Sequence, residues 1–253
     1  METHFTTAHD GTRIAYDVSG NGPLLALLHG LGSSRASWHE AGVVDALASK
    51  WTVAAIDLRG HGASDKPRAP EAYGIATVLG DVAAVIAACG AAPASIWGFS
   101  YGGSIAAHAV RADWAERVII AGSAFGRHAD AAWLERGLAQ TETVIAAIEA
   151  GRLDELGFTP EQRAFIERNS PYVANAILKA MATWPDVQPA DARHPTLLLA
   201  GSRDEGPVDA VRAQLADCEH AGVRVHIFDG LDHQQLVTER DVVLPVVRAF
   251  LHG

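Results

Sequence analysis

Cysteine is scarce: Cys89 and Cys218 are the only two in 253 residues, too few for a disulfide framework and without metal-ligand spacing. Burial is the expected role of both, and a reducing compartment suits them. Basic residues are also few, 20 Lys and Arg against 30 Asp and Glu, for a formal charge of -10. No local basic patch offsets that balance, so neither nucleic acid nor an anionic membrane surface is an expected partner. No apolar run has the length of a membrane span, and Met1 to Asp10 is too polar for the core of a signal peptide. The expectation is a soluble, cytoplasmic protein, with oligomeric state left open. Internal repeats, heptads and low-complexity segments are absent, which excludes solenoid and coiled-coil architectures.

What the chain has is apolar residues, 49% of the total, enough to bury a large core in one domain over 1–253. Thr3 to Ala8, a turn at Asp10-Gly11, and Thr12 to Val18 read as an antiparallel hairpin. Six short runs follow with helical segments between them: Leu24-Leu28, Thr52-Asp57, Ser95-Phe99, Arg117-Ala121, Thr196-Ala200 and Val223-Phe228. That alternation predicts an α/β fold, a mostly parallel eight-stranded sheet flanked by helices. Gly74 to Cys89 and Gly103 to Arg111 read as helices, as does Asp241 to Leu251 at the end. Between 127 and 192 the rhythm breaks into helical patterns without a strand, which predicts an inserted helical cap.

Within this frame Gly98-Phe99-Ser100-Tyr101-Gly102 places a serine directly after a strand and before a helix. Chance alone would give about 0.1 Gly-x-Ser-x-Gly match in such a composition, so the context carries the signal more than the motif. Glycines on both sides let strand and helix close tightly around a strained, exposed nucleophile. A serine hydroxyl is a weak nucleophile, so it requires a base within reach and a carboxylate to orient that base. His233 is the favoured base among 12 histidines, because it follows the last strand at the carboxyl end, where open α/β sheets form their crevice. Asp204 follows the preceding strand and completes the order nucleophile, acid, base; Glu205, Asp229 and Asp232 are its competitors. The turn His29-Gly30-Leu31-Gly32 closes another strand, and the backbone N–H groups of Leu31 and Tyr101 are the candidate oxyanion donors. His29 is expected to brace that turn by a hydrogen bond.

These residues, with Asp57-Leu58-Arg59-Gly60-His61-Gly62-Ala63-Ser64, resemble the α/β-hydrolase family over nearly the whole chain. The resemblance implies Ser100 as nucleophile, His233 as base, Asp204 as acid, Leu31 and Tyr101 as the oxyanion hole, and a structural role for the 57–64 loop. Relatives acting on epoxides or carbon-halogen bonds carry Asp at the nucleophile position. Perhydrolases tend to have Pro in the oxyanion loop, and carbon-carbon bond hydrolases a longer Gly-Pro loop. Carboxylesterases and small lactonases fit best: an ester or lactone of a small molecule, cleaved through an acyl-enzyme without metal or organic cofactor. Acyl transfer, carbon-carbon cleavage, perhydrolysis or a ligand-binding receptor on the same fold are the alternatives. Leu31, Tyr101, Phe125, Trp133, Trp184 and Leu231 are the expected pocket lining, with core packing having at least an equal claim on Trp133 and Trp184.

Overall fold

The computed structural model describes residues 2–126 and 131–253, so the first positions of the expected cap, 127–130, lie outside the described residues. Among the described residues the strands are β1 (His4–Thr7), β2 (Arg13–Ser19), β3 (Leu24–Leu28), β4 (Thr52–Ile56), β5 (Ala94–Phe99), β6 (Ala115–Ala121), β7 (Thr196–Gly201) and β8 (Arg224–Phe228). They form one eight-stranded sheet in the order β1-β2-β4-β3-β5-β6-β7-β8. The β1–β2 hairpin and the β2–β4 pair are antiparallel, and every pair from β4 to β8 is parallel. The helices are α1 (Ala36–Glu40), α2 (Val43–Leu47), α3 (Ile75–Ala88), α4 (Tyr101–Ala109), α5 (Ala131–Glu149), α6 (Pro160–Arg168), α7 (Pro171–Met181), α8 (Pro207–Ala213), α9 (Leu215–His220), α10 (Gln235–Thr238) and α11 (Arg240–Leu251).

The central strands are apolar throughout because both faces of the sheet are covered, and their side chains part by the period of two. Leu24, Ala26 and Leu28 of β3 join Ile96 of β5 and Val118 and Ile120 of β6 on one face, where α3, α4 and α8 pack. Leu25, Leu27, Trp97, Ile119 and Ala121 point to the other face, against α1, α2, α10 and α11. The helices α1 and α2 have no counterpart in the sequence reading, since five residues are too few to display a helical period. Their Trp38, Val43, Val44 and Leu47 are nevertheless fully buried.

The chain passes from β3 outward to β4 and then crosses back to β5 on the other side of β3. Connections leaving β3 and β5 therefore diverge at their carboxyl ends and open a crevice between them. Above it lie α5, α6 and α7, the helical segment between β6 and β7. Thr159 starts α6 through a capping box, its hydroxyl accepting from the Gln162 N–H at 3.3 Å, and Pro160 supplies the first helical residue. Val173, Ala176, Ile177 and Ala180 of α7 join the first core face and tie this segment to the sheet.

Candidate active site

Ser100 sits where β5 ends and α4 begins, with φ 56° and ψ -114°. It is the non-glycine residue at positive φ among the described residues. Such a conformation costs about 1–3 kcal/mol and persists only where the surroundings enforce it. They do so at both ends: the Ser100 N–H donates to the Ala121 carbonyl at 2.8 Å, and its carbonyl accepts from the Ser104 N–H at 2.9 Å. A Cβ at Gly98 would strike the Gly102 carbonyl, and one at Gly102 would strike the carbonyl of Leu28. Both glycines are thus required by the closeness of strand and helix. The helix begins at Tyr101, two residues before the sequence reading placed it, because Gly102 and Gly103 read locally as a turn.

Across the crevice His233 Nδ1 lies 2.8 Å from Asp204 Oδ2. Asp204 is 5% exposed, in the loop after β7. A carboxylate accepts only, so Nδ1 carries the proton and Nε2 is left as the basic nitrogen. The competing carboxylates are occupied elsewhere or stand apart: Asp229 accepts from Ser202 at 3.2 Å, and Asp232 from the Gln235 N–H at 3.0 Å. Glu205 lines the same cavity without contacting the imidazole. Gly122 gives His233 its room, for a Cβ there would come within 2.9 Å of Cε1. Phe99 packs against the ring at a centroid distance of 4.8 Å. Ser100 and His233 face one cavity without a direct hydrogen bond, a contact that in unliganded sites often closes only with substrate.

The turn after β3 is held by two buried imidazoles. His29 donates from Nδ1 to the Gly30 carbonyl at 2.8 Å and accepts the Leu58 N–H on Nε2 at 3.1 Å. His61 accepts the Gly32 N–H on Nε2 at 3.1 Å, and its Nδ1 lies 3.1 Å from the Arg59 carbonyl. The Gly30 carbonyl and the Leu31 N–H share one planar peptide, so anchoring the oxygen fixes the direction of the N–H. The N–H groups of Leu31 and Tyr101 donate to no acceptor among the described residues. Burial lowers His29 to about 4 and, with His29 beside it, His61 to about 3. Both are neutral near pH 7, as single-donor, single-acceptor braces require. The loop carrying His61 is fixed in turn by Arg59, which pairs with Asp81 at 2.6 Å and Asp10 at 2.7 Å and donates to the Ala72 carbonyl.

Ser100, Asp204 and His233 line a cavity of about 490 Å³ together with Leu31, Tyr101, Phe125 and Trp133. Two expected lining residues are absent from it. Trp184 is a core residue: it stacks behind Tyr101 at 6.0 Å, and its indole N–H donates to the Tyr73 carbonyl at 3.0 Å. Leu231 turns into the opposite core face with Phe228 and Leu236, its carbonyl pressed against Gly201. An aromatic or aliphatic residue near a site in sequence carries no sign of which way it points. The lining also includes Ser104, Ser123, Arg136, Met181 and Ala210, which the sequence reading missed. Only Ser104 had a signal, four residues after Ser100 on the same helical face. A second cavity of about 510 Å³ lies under α5, α6 and α7 and shares Leu31, Trp133 and Arg136 with the first. No group of three or more His, Cys, Asp or Glu among the described residues is arranged to hold a metal ion.

Residues 23–118 match the family model described as alpha/beta hydrolase fold. Epoxide hydrolase B of Mycobacterium tuberculosis is 42% identical over 86 residues, which is 34% of this chain and 24% of that protein. The match covers about a quarter of the length of the first curated relatives, 28% for uncharacterized mycobacterial proteins. The likeness of whole structures is broader. An esterase from Rhodococcus sp. superposes with a TM-score of 0.72 at 25% identity, covering 100% of this chain and 99% of that one. The enol-lactonase from Burkholderia xenovorans gives 0.77 at 24% identity, covering 99% and 100%.

Proposed function

On the premise that this chain has the α/β-hydrolase fold, we propose that it is a serine hydrolase cleaving a carboxylic ester or lactone. The observation that carries this reading is the strained Ser100 sharing one cavity with an imidazole oriented by Asp204. His233 Nε2 takes the Ser100 proton as Oγ attacks the carbonyl carbon; the oxyanion forms beside the Leu31 and Tyr101 amides. When the tetrahedral centre collapses, the carbon–oxygen bond to the leaving group breaks and His233 hands that oxygen its proton. Water then repeats the sequence, releasing the acid and restoring Ser100. Nothing in this cycle calls for a metal or organic cofactor. The substrate is a small molecule, and free Cys89 and Cys218 suit a cytoplasmic setting.

Similarity to an epoxide hydrolase over the first part of the chain does not carry that activity across. A carboxylate that opens an epoxide leaves an ester that water can cleave; a serine would leave an ether, which hydroxide at this site cannot release. Ser100 therefore favours acyl chemistry, as in the esterase and the enol-lactonase of similar structure. Hydrolysis of p-nitrophenyl acetate by the wild type and by Ser100→Ala tests the assignment. Loss of at least a thousandfold in kcat/KM is expected, and a variant with wild-type rates refutes it.

A further inference from the structure

The second cavity has no part in the chemistry above, yet it is built as a binding chamber. Its walls from the three cap helices are mostly apolar, including Val144, Phe165, Ile166 and Ile177, with Phe158 added from the connection before α6, and at about 510 Å³ it matches the catalytic cavity in size. The two meet at Leu31, the residue whose amide is proposed to face the oxyanion, and at Trp133 and Arg136. Gly32 of the same turn abuts the Phe165 ring, where a Cβ would come within 2.7 Å, so the oxyanion loop forms part of the chamber wall.

Resting on the ester-hydrolase reading, we propose that this chamber is the acyl subsite, and that the substrates are esters or lactones with a medium-length apolar acyl arm. The leaving group must stay beside His233, which protonates it, and His233 lines the catalytic cavity but not the chamber. Of the two substituents on the reacting carbonyl, the acyl arm is then the one free to turn past Leu31 and Trp133 into the chamber. Its apolar walls select methylene groups; Gln140 and Asn169 on its lining are polar but uncharged, and the lining's one cation, Arg136, is shared with the catalytic cavity.

The test is kcat/KM for p-nitrophenyl acetate, butanoate, hexanoate and octanoate with the wild type, Ala174→Trp and Ile166→Ala, and for acetate esters of alcohols of rising length. In the wild type kcat/KM is expected to climb by up to about fourfold per acyl methylene, the transfer value of about 0.8 kcal/mol per CH₂. Ala174→Trp, which fills the chamber from α7, should lower the octanoate-to-acetate ratio at least tenfold. Ile166→Ala, on the more exposed α6, should move the optimum to a longer chain. Hydrolysis of acetate with a ratio that is flat in the wild type and unmoved by both variants overturns the chamber assignment and leaves the hydrolase reading standing. A rise that follows the alcohol in place of the acyl group also overturns it. No turnover of any ester or lactone removes both readings together.

Discussion

Acid should dismantle this protein through His29 and His61 before it protonates most of its carboxylates. Both imidazoles are buried, with values lowered to about 4 and about 3, whereas an unfolded histidine titrates near 6.5. Between these limits the unfolded chain binds more protons than the native one, so stability rises with pH and falls as acid is added. Stability from each neutral brace is complete above about pH 7. Going from pH 7 to pH 5 costs about 2 kcal/mol per histidine, about 4 kcal/mol for the pair, against a typical total of about 5–15 kcal/mol. Urea unfolding followed by tryptophan fluorescence at pH 7, 6 and 5 measures the loss, and His29→Gln and His61→Gln isolate its source. Glutamine keeps a donor and an acceptor without titrating, so each single variant should shed about half of the pH dependence. If the variants retain the wild-type slope, the buried-brace reasoning is wrong.

Asp204→Asn should reduce kcat by about 10⁴-fold, since an amide opposite Nδ1 favours the wrong tautomer of His233; steady-state ester kinetics would show it. Arg59→Met leaves the buried Asp81 without its partner and should destabilise the fold by about 3–5 kcal/mol in urea, with Arg59→Met plus Asp81→Leu recovering most of the loss. Trp184→Phe removes the hydrogen bond to the Tyr73 carbonyl and should cost about 1 kcal/mol of stability with KM unchanged, a split that a pocket residue would not give.

The sheet was legible because burial on two faces writes itself as short apolar runs. β3 was read at its observed ends, and β5 lacked only Ala94. The convergence of Ser100, Asp204 and His233 on one cavity was legible for a related reason: each follows a strand end, and parallel strands bring their carboxyl ends together whatever the sequence between them. Side-chain direction was not legible. Trp133 and Trp184 looked alike in the sequence, yet Trp133 is 43% exposed on the cavity and Trp184 is 7% exposed behind Tyr101. That His29 braces its turn was legible, but its partner Leu58 and the second brace at His61 were not: each of these bonds joins residues 29 apart through a backbone N–H, and such contacts leave no spacing rule in the chain. Nor did the chamber announce itself, because its lining is assembled from three helices and four loop segments.

The proposed chemistry makes Ser100 the nucleophile of an acyl-enzyme. Exposure of the wild type to a fluorophosphonate probe, followed by intact-mass and peptide-mapping mass spectrometry, tests it without knowledge of the natural substrate. One adduct on Ser100, formed in parallel with loss of esterase activity and absent from Ser100→Ala, is the predicted result. Complete inhibition with the label on another residue, or ester turnover that survives stoichiometric labelling of Ser100, would contradict it.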